Sequence, residues 1–129
     1  MKSLLAVTAL LEGVTGLGLA TVPSLVVSIL LGTSFTDPAA ILIGRLAGAA
    51  LITIAIACWL SRDNTLSPVM VKTMVCYNIF ATTLLGYSVF VEKICGPGLW
   101  PAVIIHSALL VWSLSSLRSK ASKVVHHHS

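Results

Sequence analysis

The chain has 129 residues, of which 57% are hydrophobic and only 9% charged, with a mean hydropathy of +1.00. That balance excludes a water-soluble domain, which needs far more polar cover, and points to the bilayer as the main solvent. The formal charge of +4 does not mark a nucleic-acid partner, because the basic residues sit at the edges of apolar segments and not in one patch with interleaved aromatics.

Apolar runs recur four times, each close to the roughly 20 residues that cross a hydrocarbon core of about 30 Å. The expected fold is an all-α, integral membrane four-helix bundle forming one domain over residues 1–129. The first helix covers about 3–22. Glu12 interrupts its apolar run, so the segment is expected to stay as a membrane helix and not be removed as a signal peptide, despite small residues at Gly18 and Ala20. Pro23 lacks an N–H and disfavours helical geometry in the residue before it. Residues 24–31 are therefore expected to form a short interfacial or re-entrant segment, the alternative being one long helix kinked at Pro23.

Asp37 followed by Pro38 reads as a cap and first-turn proline for a second helix over 39–60. Ser67 before Pro68 reads as a cap for a third, over 69–91. The last helix is expected over 99–117, with 118–129 as a cytoplasmic tail. Trp59, Trp100 and Trp112 suit interface anchoring or packing. Cys58, Cys76 and Cys95 have no C-x-x-C spacing and no disulfide within the chain is expected. His126, His127 and His128 at the C-terminal end carry little structural information and are set aside.

Lys2, Arg62, Lys72, Arg118, Lys120 and Lys123 fall on one side of such a bundle and Lys93 alone on the other. The positive-inside rule then places both termini in the cytoplasm, with a bacterial inner membrane as the expected location.

Four polar residues lie well inside four different helices: Glu12, Arg45, Asn78 and His106. A charge at the centre of a membrane helix costs roughly 2.5–3.5 kcal/mol on insertion scales, so such groups face the interior and find partners. Arg45 and His106 are placed about 10 Å below the outer surface, with Glu12 and Asn78 nearer the midplane. The expectation is a Glu12–Arg45 salt bridge, with Asn78 and His106 lining the same space. Thr15 shares the Glu12 face, and Tyr77 borders Asn78. Gly13 and Gly16 on the first helix, with Gly44 and Gly48 on the second, form small-residue strips expected at close helix contacts. No metal site or cofactor is expected, since His106 is the only histidine within a predicted helix and the cysteines lack metal spacing.

The segment Leu11-Glu12-Gly13 and the overall size resemble the small multidrug-resistance transporters, but that family's third-helix tryptophan is absent from 69–91. A wider resemblance covers nearly the whole chain. Glu12-Gly13-Val14-Thr15-Gly16-Leu17, Arg45-Leu46-Ala47-Gly48-Ala49-Ala50, Cys58-Trp59-Leu60, Tyr77-Asn78 and Leu99-Trp100-Pro101-Ala102 with His106 look like a group of small bacterial four-helix membrane proteins with no assigned activity. It implies the architecture and no mechanism.

The first functional expectation is a non-enzymatic membrane subunit, packing against another membrane protein or itself, with an intramembrane polar network that fixes helix packing. The alternative is a protein that binds a lipid head group, a quinone or another small molecule, or couples transport to protons, through Glu12, Arg45, Asn78 and His106. A membrane enzyme ranks last, because no nucleophile with an adjacent base can be named.

Overall fold

The computed structural model describes residues 1–94 and 96–125, with side chains to residue 119. Cys95 and His126, His127 and His128 lie outside the described residues. Among the described residues five helices follow in chain order: α1 (Lys2–Thr21), α2 (Pro23–Leu31), α3 (Pro38–Ser61), α4 (Ser67–Phe90) and α5 (Leu99–Val125). Among the described residues there is no strand, and α1, α3, α4 and α5 are each long and apolar enough to cross a membrane. At nine residues, α2 spans only about 13 Å and cannot.

The local signals act as their chemistry dictates. Val22 leaves helical geometry at φ −130°, ψ 57°, and Pro23, which has no N–H to lose, starts α2 afresh. Gly32 ends α2 at φ 76°, a left-handed conformation that glycine adopts without steric cost. The Asp37 carboxylate accepts from the Ala40 N–H at 2.9 Å and caps α3. Ser67 does not cap α4. Leu66 holds the cap position, and the Ser67 hydroxyl donates to the carbonyls of Ser61 and Asn64 at 2.6 and 2.9 Å. Asn64 organises that turn, accepting from Leu66 N–H and donating to Leu60 O. Nor does α5 stop at residue 117. It continues to Val125, because its Lys, Arg, Ala and Ser residues include no glycine or proline to break it.

The helices form two antiparallel pairs. In the first, α1 runs against α3. A Cβ on Gly16 would lie 2.8 Å from the Gly48 carbonyl oxygen, and one on Gly48 would lie 2.5 Å from the Ala20 nitrogen. The two backbones thus touch where only hydrogen atoms fit between them. Gly13 opposes Ala55 with ordinary spacing, 3.5 Å from a built Cβ, and Gly44 faces Pro23 and the Phe35 ring. In the second pair, α4 runs against α5, with Phe90 meeting Trp100 edge to face at 5.7 Å.

The pairs join at both ends. Near the α1 N-terminus, Leu4, Leu5 and Ala9 pack with Cys58, Val71, Met74 and Leu109 into one apolar core drawn from all four long helices. At the opposite end α2 bridges across, since Gly98 N–H donates to Ile29 O at 2.8 Å and Gly96 fits directly against the Leu30 carbonyl. Outside the core end, Lys2 reaches Asp63 at 2.8 Å and Arg62 reaches it at 3.2 Å. The Lys2 hydrogen bond, helped by the fields of Lys2 and Arg62, holds the Asp63 carboxyl below its usual range.

The glycine contact makes a graded prediction. Gly16→Ala and Gly48→Ala should each lower unfolding stability in mild detergent by about 1–3 kcal/mol, the cost of overpacking. Gly86 has nothing within 4 Å of a built Cβ, so Gly86→Ala should leave stability unchanged or raise it by up to about 1 kcal/mol through helix propensity. Equal effects at the three positions would remove the close contact as the determinant.

Candidate functional site

Between the apolar core and α2, the two pairs stand apart around a cavity of about 350 Å³ to which all five helices contribute. Leu11, Leu19, Leu30 and Leu51 are among its apolar walls, and Glu12, Thr15, Tyr77 and His106 supply its polar groups. Helical spacing explains the grouping. Glu12 follows Thr8 by one turn on the buried face of α1, where the two are 4% and 1% exposed. Tyr77 and Asn78 are adjacent on α4, so one reaches across to α1 while the other turns toward α5.

Tyr77 donates its hydroxyl to Glu12 Oε2 at 3.0 Å, linking the pairs. Asn78, fully buried, donates from Nδ2 to the Met74 carbonyl at 2.8 Å and presents Oδ1 to His106 Nδ1 at 2.9 Å. The Met74 contact fixes the amide orientation, since a carbonyl can only accept. Asn78 Oδ1 is likewise an acceptor, so His106 Nδ1 must carry the proton and donate it. In the neutral ring Nε2 is then an acceptor. The Tyr77 ring meets the His106 ring edge to face, 5.7 Å between centroids, and holds its plane. Neither Glu12 Oε1 nor His106 Nε2 takes part in a hydrogen bond among the described residues, and both side chains line the cavity. One turn beyond Asn78, the Thr82 hydroxyl is buried without a hydrogen-bond partner among the described residues.

Arg45 is not part of this group. It is exposed and lies in a separate cleft at the α1–α2 break with Thr21, Val22 and Ser24. Among the described residues it forms no ion pair with Glu12. The pairing register gives the reason. Gly13 lies opposite Ala55, which places Arg45 roughly 15 Å farther along α3 than the level of Glu12. Arginine is too short to close that gap, and the outward face of α3 carries it instead. The partner of Glu12 is Tyr77, which stands out in the sequence only by bordering Asn78.

The network predicts a specific pattern of coupling. In unfolding measurements, Glu12→Met and Tyr77→Phe should each destabilise, and the double variant should depart from additivity by about 0.5–3 kcal/mol, as expected for groups sharing one hydrogen bond. Glu12→Met combined with Arg45→Gln should instead be additive within about 0.5 kcal/mol. Coupling to Arg45 and none to Tyr77 would reverse the assignment.

Comparison of the chain with family models, curated proteins and solved structures returned no match, so the site is read from its own geometry.

Proposed function

We propose that this protein is an intramembrane binding protein of a bacterial cytoplasmic membrane, with both termini in the cytoplasm, whose central cavity holds a small amphipathic molecule by a hydrogen-bond-donating head. The observation that carries the reading is the pair of polar atoms without a hydrogen-bond partner among the described residues that line one apolar cavity, Glu12 Oε1 and His106 Nε2, both of them acceptors when the carboxyl that Tyr77 donates to is ionised. Its volume lies at the lower end of small-molecule sites, which are apolar with a few convergent polar groups.

Two acceptors select the head. A hydroxyl-bearing ring of the quinol class can donate to both, whereas an oxidised quinone offers only carbonyl oxygens and would leave four acceptors facing one another. A phosphate head group fits still less, because among the described residues no lysine or arginine lines the cavity, and Arg45 lies in another cleft. The apolar walls suit the remainder of such a molecule. A carboxylate at this depth also needs a proton or a donor to offset lost hydration, and Tyr77 supplies one of these.

The packing-subunit reading loses one of its three supports, with its short loops and its lack of a soluble catalytic region unchanged. The small-residue strips, which could also have met a partner, are occupied inside the chain, where Gly16 and Gly48 close on each other and Gly44 on Pro23.

The test is binding of a short-chain quinol and of its oxidised form to the full chain in mild detergent. The reduced form should bind more tightly, and His106→Leu should weaken it by roughly tenfold or more, the worth of a hydrogen bond to a buried partner. Equal affinity for both forms, insensitive to His106→Leu, would contradict the reading. A stoichiometric membrane-protein partner that co-purifies with an unliganded chain would restore the subunit reading.

A further inference from the structure

A second, separate concavity lies on the outer surface of the α1–α3 pair. It measures about 340 Å³ and runs along the seam between the helices, with Ala9 and Gly13 of α1 and Ala55 of α3 as its floor. Leu17 and Ile52 mark its deep end, and Trp59 with Leu60 its end toward the α1 N-terminus. Small residues make the floor recede, while large ones rise on either side: Leu10, Leu17, Trp59 and Leu60 are all exposed.

What distinguishes this groove from ordinary lipid-facing helix surface is its charged end. The Arg62 guanidinium lies 3.5 Å above the centre of the Trp59 ring and donates from Nη1 to the Trp59 carbonyl at 2.8 Å. Its Nε contacts Asp63, which also receives Lys2. Lys2 and Arg62 set against Asp63 leave one net positive charge where the groove meets the head-group region. Arg62 keeps further N–H donors unspent, since a guanidinium carries five, and Lys2 keeps two of its three. The cationic, ring-stacked guanidinium is a form of arginine well suited to phosphate.

From this juxtaposition we infer that the α1–α3 groove is a binding site for an anionic phospholipid, with one acyl chain along Gly13 and Ala55 and the phosphate held by Arg62 and Lys2. The dimensions favour lipid over protein. From Ile52 to Trp59 the groove is about 10 Å long, within the roughly 15 Å of one leaflet, whereas a spanning partner helix would need a seam across the full hydrocarbon thickness. The tryptophan sits where an amphipathic ring belongs, at the boundary between chain and head group. On the cytoplasmic side, where the proposed topology puts this end, the anionic lipids of the inner leaflet are the available match. The site shares no side chain with the central cavity, so it stands whether or not a quinol occupies that cavity.

The experiment is native mass spectrometry of the full chain in mild detergent, titrated in parallel with phosphatidylglycerol and phosphatidylcholine of identical acyl chains. The wild-type chain should retain one phosphatidylglycerol about tenfold more strongly than phosphatidylcholine. Arg62→Gln should abolish that preference, Gly13→Leu should fill the groove and weaken both lipids, and Trp59→Ala, at an exposed position, should likewise weaken both by removing one end of the groove. Arg118→Gln, a basic residue at the same end but outside the groove, should behave as wild type. Equal retention of the two lipids, or a preference that survives Arg62→Gln, would overturn the site. So would a dimer that Gly13→Leu dissociates while lipid retention is unchanged, because the groove would then belong to a second copy.

Discussion

A carboxyl group buried among apolar helices must be matched from within the protein, and here the match to Glu12 comes from the opposite helix pair. Between the helix ends, the Tyr77 hydroxyl supplies a side-chain to side-chain hydrogen bond from the α4–α5 pair to the α1–α3 pair. Its geometry requires α1 and α4 to keep their polar faces toward each other, and the space around those faces becomes the cavity. The apolar core on one side and α2 on the other hold the pairs at this distance. Closing the cavity by collapse would bury Glu12 Oε1 and His106 Nε2 without partners, at about 1–3 kcal/mol or more each.

The register that brings Glu12 to Tyr77 is set elsewhere, at the contact of Gly16 with Gly48. Sliding α3 by one turn would bring in either Ile52, whose side chain does not fit in the contact, or Gly44, which would then leave its place against Pro23 and Phe35. The same register carries Arg45 away from Glu12, so close packing, and not charge, decides which polar residues meet. Electrostatic attraction between Glu12 and Arg45 would be large in a low dielectric only after the groups had approached. A fixed backbone contact keeps them apart.

The sequence made much of this legible. Length and hydropathy gave four helices long and apolar enough to span a membrane, Pro23 gave the break before α2, and Asp37-Pro38 gave the start of α3. Glu12, Asn78 and His106 stood out as polar groups within apolar runs, and the structure brings them to one region with Tyr77. Arg45 did not follow, because depth along a helix can be read from residue count while the azimuth and register between helices cannot. The roles of Tyr77 and Leu30 were hidden for the same reason: an aromatic or a leucine in an apolar run looks identical whether it faces lipid or a cavity. The cap expected at Ser67 failed locally, since Asn64 already satisfies the groups of that turn.

The central claim is that the cavity presents acceptors, and it rests on the proton of His106. Nitrogen-15 spectra of the chain in bilayers at mildly alkaline pH, with a His106→Gln variant to identify the signal, report directly which ring nitrogen is protonated. The Asn78–His106 hydrogen bond requires a protonated Nδ1 and a bare Nε2, with Asn78→Leu releasing that preference. A ring protonated at Nε2, with Nδ1 bare beside Asn78, would contradict it.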